Sequence, residues 1–258
     1  MEAGTKMTRM LLGAIMALVI ASGAYAQSTP PSAARPSIVL VHGALIDGSS
    51  WRSVYDVLTS DDYRVSIVQQ PLTGFDEDVA ATRRVIDQQE GPVVLVGHSY
   101  GGSVITVAGS DPKVKALVYV AGLQPDVGET SAEVAPAMPP ASNDLRQTKD
   151  GFIFLDPAKF AADFGADLPK AQAEFMAHAQ MPVSGAVFNA KLTNAAWRDK
   201  PSYAIIATED RALNPERARW MARRAGSMIT ELRASHAVLI SQPHAVAQVI
   251  ETAARAVE

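Results

Sequence analysis

Ser99 sits in Gly97-His98-Ser99-Tyr100-Gly101, a G-x-S-x-G pattern between the apolar run Val93-Val94-Leu95-Val96 and a helical stretch at residues 103–109. A serine on so sharp a strand-to-helix turn needs small neighbours, which Gly97 and Gly101 supply. Its backbone is forced into a strained conformation that projects the hydroxyl out of the sheet. The helix start behind it brings free N–H groups and a positive dipole end to where negative charge would develop. The chemistry this suits is nucleophilic attack. A nucleotide cradle would need G-x-G-x-x-G or a Gly-Lys-Ser/Thr ending, and neither occurs here.

A serine hydroxyl is not nucleophilic at neutral pH, so a base must take its proton. There are five histidines. His42 ends the first strand and His98 lies inside the serine turn, where both are expected to shape loops. His178 falls in a helical stretch and His244 opens the last helix; both are expected to be structural or exposed. His236 remains, in Ala234-Ser235-His236-Ala237 between the last strand and the last helix, and is the expected base. A carboxylate must then hold the imidazole and stabilise its cation. Asp210 follows the strand at 203–207 and Asp126 follows the strand ending at Val120. Both strands end at the active edge, so Asp126 stands as the rival. The order serine, acid, histidine along the chain is met by both. The apolar strand at 203–207 delivers Asp210 directly and Asn214-Pro215 starts the next helix, and this short, well-fixed loop makes Asp210 the expected acid. Glu209 should point elsewhere. Oxyanion donors are expected from the N–H of Tyr100 and from the loop His42-Gly43-Ala44, with Ala44 the candidate.

These side chains must be carried by a sheet. Ile38-Val39-Leu40-Val41 is a short apolar run without alternation, and similar runs recur at 65–68, 93–96, 116–120 and 203–207. Such runs suit strands buried on both faces of a parallel sheet; 228–232 is a weaker sixth. Between them, Trp51, Val54, Tyr55 and Leu58 share one helical face, as do Phe75, Val79, Thr82 and Ile86. Ala218, Met221, Ala222 and Ala225 repeat the pattern behind Asn214-Pro215-Glu216, a cap residue, a first-turn proline and an acid. Val246, Val249, Ile250 and Ala253 mark the last helix. Strand and helix alternate, which predicts an α/β fold with a doubly wound, mostly parallel sheet. Between about 124 and 200 the rhythm breaks: prolines accumulate and short helical patterns at 158–164 and 168–179 replace long strands. This stretch reads as an inserted, mainly helical cap over the strand ends.

The chain has 258 residues, of which 48% are hydrophobic, enough for one large core. Lys6 and Arg9, an apolar run from Met10 to Ile20 and Ala24-Tyr25-Ala26 together read as a signal peptide over residues 1–26. That apolar run is far short of the ~20 residues of a membrane-spanning helix. Cleavage would start the mature protein at Gln27, behind a flexible lead-in at 27–36 and ahead of one domain at 37–258. The expected location is secreted or periplasmic, with no membrane anchor after processing. Cysteine is absent, which excludes thiolate nucleophiles, cysteine-based metal sites and disulfides. A net charge of −4 gives no electrostatic footprint for nucleic acid or anionic lipid. No metal or organic cofactor is implied. The acids Asp76, Glu77 and Asp78 read as the solvated first turn of a helix.

Taken together, V-H-G-A near the start, G-H-S-Y-G-G, T-E-D-R with Pro215 downstream and S-H at 235–236 resemble the α/β-hydrolase superfamily across essentially the whole mature chain. Within it the chain looks most like small serine esterases related to plant methylesterases and hydroxynitrile lyases. The resemblance implies Ser99, Asp210 and His236 as triad and Ala44 and Tyr100 as oxyanion donors. Lyases of that group place a threonine after the first-loop histidine and a lysine after the catalytic one; here those positions are Gly43 and Ala237. The implied activity is hydrolysis of small, partly apolar carboxylic esters. Phe152, Phe154, Phe160, Phe164, Phe175, Met176 and Phe188 are the apolar side chains the cap could offer a substrate, or could use to pack itself. The alternatives are a lyase or C–C bond hydrolase on the same fold, and a ligand-binding protein that keeps the triad.

Overall fold

The computed structural model of the chain describes Met1 and residues 35–135 and 141–258. The expected signal peptide, its cleavage site and nearly all of the 27–36 lead-in lie outside the described residues, as do Pro136, Pro139 and Pro140 of the cap. No helix among the described residues is long and apolar enough to cross a membrane.

In chain order the elements are β1 (Ser37–Val41), α1 (Arg52–Ser60), β2 (Val65–Val68), α2 (Phe75–Asp87), β3 (Val93–His98), α3 (Gly101–Ala108) and β4 (Val114–Val120). The cap follows with α4 (Ser131–Val134), β5 (Leu145–Gln147), β6 (Phe152–Leu155), α5 (Pro157–Asp163), α6 (Lys170–His178) and β7 (Val183–Ser184). The chain then returns to the main sheet through β8 (Ser202–Ala207), α7 (Pro215–Arg224), β9 (Met228–Leu232), α8 (Val238–Ser241) and α9 (Pro243–Arg255).

The main sheet has the order β2-β1-β3-β4-β8-β9, with every neighbouring pair parallel. Its strands feed two cores by simple alternation. Val39, Val41, Leu95, Leu117 and Ile206 face α2, α3 and α7. Ile38, Leu40, Val96, Val118 and Ile205 face α1 and α9. Strands β1, β3 and β8 are buried along their whole length, which is why their sequences are continuous apolar runs. The edge strand β9 is largely exposed, hence its weak signal. Helix α7 begins as its sequence demands: Asn214 Oδ1 accepts from the amides of Glu216 and Arg217 at 2.8 and 3.3 Å.

The cap is mainly helical but also holds a small antiparallel sheet, β5-β6-β7, which sequence reading misses. Phe160, Phe164 and Leu155 of the cap pack with Ile46 and Ala237 of the main domain. The cap is also tied to the loops after β1 and β2, through a bridge between Leu45 and Met181 and a bond from the Ser184 amide to the Leu72 carbonyl.

Candidate active site

Ser99 lies between the end of β3 and the start of α3 with φ at +51°, a strained region for a non-glycine residue that costs about 1–3 kcal/mol. The turn is tight enough to dictate its flanks. A Cβ on Gly97 would lie 2.5 Å from the Gly101 carbonyl oxygen, and one on Gly101 would lie 2.5 Å from that of His42. Hydrogen bonds from the Ser99 amide to the Val120 carbonyl and from the Leu123 amide to the Ser99 carbonyl fix the strained residue on both sides.

The loop after β8 delivers Asp210 and the loop after β9 delivers His236. Asp210 Oδ2 accepts from His236 Nδ1–H at 2.6 Å, which leaves Nε2 as the acceptor that faces Ser99 Oγ at 2.8 Å. The other Asp210 oxygen accepts the amides of Ala212 and Leu213, both at 2.8 Å. Asp210 and His236 are buried. Asp126 lies elsewhere, its oxygens paired with Arg198 at 2.8 and 2.7 Å. That bond to Arg198 holds the Asp126 carboxyl below the ordinary range. Glu209 turns outward to Arg233.

The remaining histidines fall into two pairs. His42 Nε2 accepts from the Gln70 amide at 3.0 Å, so its Nδ1–H donates to the Gly43 carbonyl at 2.8 Å; burial lowers its proton affinity. His98 Nε2–H donates to the His236 carbonyl at 3.0 Å. Burial, then the neighbouring His236, keep His98 well below the usual imidazole range. Both are neutral struts for the loops that carry the site. His178 and His244 are exposed.

Ala44 and Tyr100 stand with Ser99 and His236 in the wall of one cavity. Among the described residues, neither of their amides has a protein acceptor, so both are available to an incoming oxygen. Tyr100 also corrects the reading of the α2 acids. Asp76 and Glu77 are exposed, but Asp78 is fully buried. Its Oδ2 accepts from the Tyr100 hydroxyl at 2.7 Å and its Oδ1 from the Leu72 amide at 2.9 Å. Burial raises the Asp78 carboxyl against the pull of those bonds. The first-turn position describes the helix correctly; it says nothing of Tyr100, the residue just before α3, which supplies the buried partner.

The cavity has a volume of about 310 Å³, at the small end of ligand pockets. Of the seven cap side chains named from the sequence, Phe164 and Phe188 line it. Phe160 stacks on Phe164 inside the cap at 4.9 Å, and Phe175 is exposed. On β6 it is Ile153 and Leu155 that line the cavity, because a strand presents alternate residues to one side and Phe152 and Phe154 belong to the other. Leu123, Ser131 and Leu213 also line it, and no sequence signal marks them.

The alpha/beta hydrolase family model matches residues 38–249, and the chain belongs to that family. It is 27% identical to the alpha/beta hydrolase nvfD of Aspergillus novofumigatus over 247 residues, 85% of this chain and 97% of that one. It is 25% identical to an alpha-hydroxynitrile lyase of Arabidopsis thaliana over 80% of this chain and 92% of the lyase. Among solved structures, a pyrethroid hydrolase from Sphingobium faniae JZ-2 superposes with a TM-score of 0.70 at 23% identity, covering 86% of this chain and 98% of the other. The expected fold and the resemblance to the lyase-containing group both stand.

Proposed function

We propose that the chain is a secreted, cofactor-independent serine hydrolase that cleaves small, partly apolar carboxylic esters through an acyl-enzyme on Ser99. One observation carries this reading: His236 lies between Ser99 Oγ, 2.8 Å from Nε2, and Asp210 Oδ2, 2.6 Å from Nδ1. In this scheme Ser99 Oγ attacks the ester carbonyl while Nε2 takes its proton, and Asp210 stabilises the imidazolium. The oxyanion is held by the amides of Ala44 and Tyr100. His236 then gives its proton to the leaving alcohol oxygen as the ester C–O bond breaks. Water attacks the acyl-enzyme, His236 takes its proton, and the returning proton restores the Ser99 hydroxyl as the acid departs. Export follows from the leader at 1–26, since its basic start, short apolar run and A-x-A site are those of a cleaved signal.

Hydroxynitrile cleavage is the competing reading, favoured by the lyase relative. The two positions where the group's lyases carry threonine and lysine disfavour it. A Cβ on Gly43 would lie 2.8 Å from His98 Nδ1 and 2.9 Å from Ser99 Cβ, so no side chain fits there. Ala237 is fully buried and its methyl side chain offers no polar atom. A p-nitrophenyl ester series and an aromatic hydroxynitrile, assayed side by side on the mature chain, separate the readings. Ester turnover should exceed nitrile cleavage. Faster nitrile cleavage would make it a lyase, and fluorophosphonate labelling without turnover would make it a binder.

A further inference from the structure

Residues 163–167, at and just beyond the end of α5, touch both loops that carry the proposed acid and base. Asp163 Oδ1 pairs with Arg211, the neighbour of Asp210, at 3.2 Å. The Phe164 carbonyl accepts from the Ala237 amide and from Ser235 Oγ, both at 3.1 Å. The Phe164 ring meets the His236 ring edge-on, with centroids 4.9 Å apart. Asp167 accepts twice from Ser235: from its amide at 3.1 Å through Oδ2, and from its hydroxyl through Oδ1.

These bonds divide the holding of the base loop in an unequal way. The main domain takes the loop by its carbonyls: that of Ala234 from the Glu209 amide, that of His236 from His98, that of Ala237 from the Ile240 amide. The cap takes it by its donors, namely the Ser235 amide, the Ser235 hydroxyl and the Ala237 amide. Ser235 is buried, so without Asp167 its amide and hydroxyl would lose their charged acceptor. Although burial works the other way, the Ser235 hydroxyl, then the Ser241 side chain and the Ser235 amide, hold the Asp167 carboxyl below the ordinary range. Asp167 itself is exposed; it reaches inward from the surface and leaves no hole when shortened or neutralised.

We propose that Asp167 is a positioning residue for His236, a cap carboxylate that fixes Ser235 and thereby sets the base at bonding distance from both Ser99 and Asp210. The proposal rests on His236 being the base. It gives the cap a second task beyond enclosing substrate, that of completing the catalytic geometry. Misplacement of a reacting group by about 1 Å costs on the order of 10²-fold in rate, so loss of this clip should appear in kcat.

The test compares wild type with Asp167→Asn, Ser235→Ala, the double variant and His236→Ala, reading kcat and KM for p-nitrophenyl butyrate together with melting temperature. We expect Asp167→Asn to lose about 10–100-fold in kcat, with KM and melting temperature nearly unchanged. The double variant should lose no more than the worse single, because the two groups act through one contact. A role in stability alone would lower the melting temperature and leave kcat intact, and this result overturns the proposal. So does a wild-type kcat in Asp167→Asn while His236→Ala is inactive, an outcome that spares the base assignment. Full activity in His236→Ala sinks both. Should Asp167→Asn not fold, Ser235→Ala carries the same kcat comparison.

Discussion

Asp210 has both carboxylate oxygens committed, one to the imidazole and one to two backbone amides, whereas Asp126 is committed to Arg198. Asp210→Asn puts an amide donor where Nδ1–H must find an acceptor, and loss of the aspartate in serine proteases drops kcat by about 10⁴. We expect a fall on the order of 10²–10⁴ in kcat with little change in KM. Asp126→Asn should cost less than about tenfold in kcat by the same comparison, and steady-state kinetics on the two variants decides between the acids. Asp126 should instead show in stability. Its carboxyl lies below the ordinary range in the folded chain, so its contribution is present above the unfolded value of about 3.9. That contribution is lost as pH falls through the lower folded value. The melting temperature of wild type should therefore drop more between about pH 5 and pH 3 than that of Asp126→Asn, and equal drops would remove Arg198–Asp126 from the account. Ser99, Asp210 and His236 could be found in the sequence because each stands just past a strand, where a loop must emerge at one edge. Asp78 could not, since its partner Tyr100 lies in the turn before α3 and no spacing links the two.

The turn around Ser99 depends on two glycines for space and not for backbone freedom; within residues 97–101 it is Ser99 that carries the positive φ. A methyl group on Gly101 would meet the His42 carbonyl oxygen at 2.5 Å, and backbone cannot yield there as a flexible side chain would. Gly101→Ala should lose the serine geometry or the fold, measured as absent fluorophosphonate labelling or a melting temperature many degrees lower. Unimpaired labelling and melting would contradict the packing described. The buried strands were legible because burial on both faces leaves continuous apolar runs. Exposure of β9 blurred its signal. The cap strands β5, β6 and β7 are held by pairing with one another, and by Gln180, whose side chain accepts from the Leu155 amide and donates to its carbonyl. Strands β5 and β7, of three and two residues, are too short to display a pattern, and β6 stands in the proline-rich stretch where the strand–helix rhythm breaks.

For the whole molecule, a parallel α/β core and a cap fit a hydrolase whose small apolar cavity holds Ser99 and His236 in its wall, and export is a separate proposal. Export is tested by N-terminal sequencing of protein secreted by a bacterial host, which should begin at Gln27; retention of residues 1–26 would instead mean an uncleaved anchor. The arrangement of the cap explains why the cavity-lining residues were the least legible part of the site. They are scattered from Ala44 to His236 along the chain, and only tertiary packing decides which faces of α5 and β6 look inward. Formation of the proposed acyl-enzyme on Ser99 can be watched by rapid-quench intact-mass spectrometry during turnover of a p-nitrophenyl ester. A single acyl adduct that maps to Ser99 is expected, absent in Ser99→Ala along with ester turnover. An adduct on another residue, or turnover that persists in Ser99→Ala, would contradict the proposal.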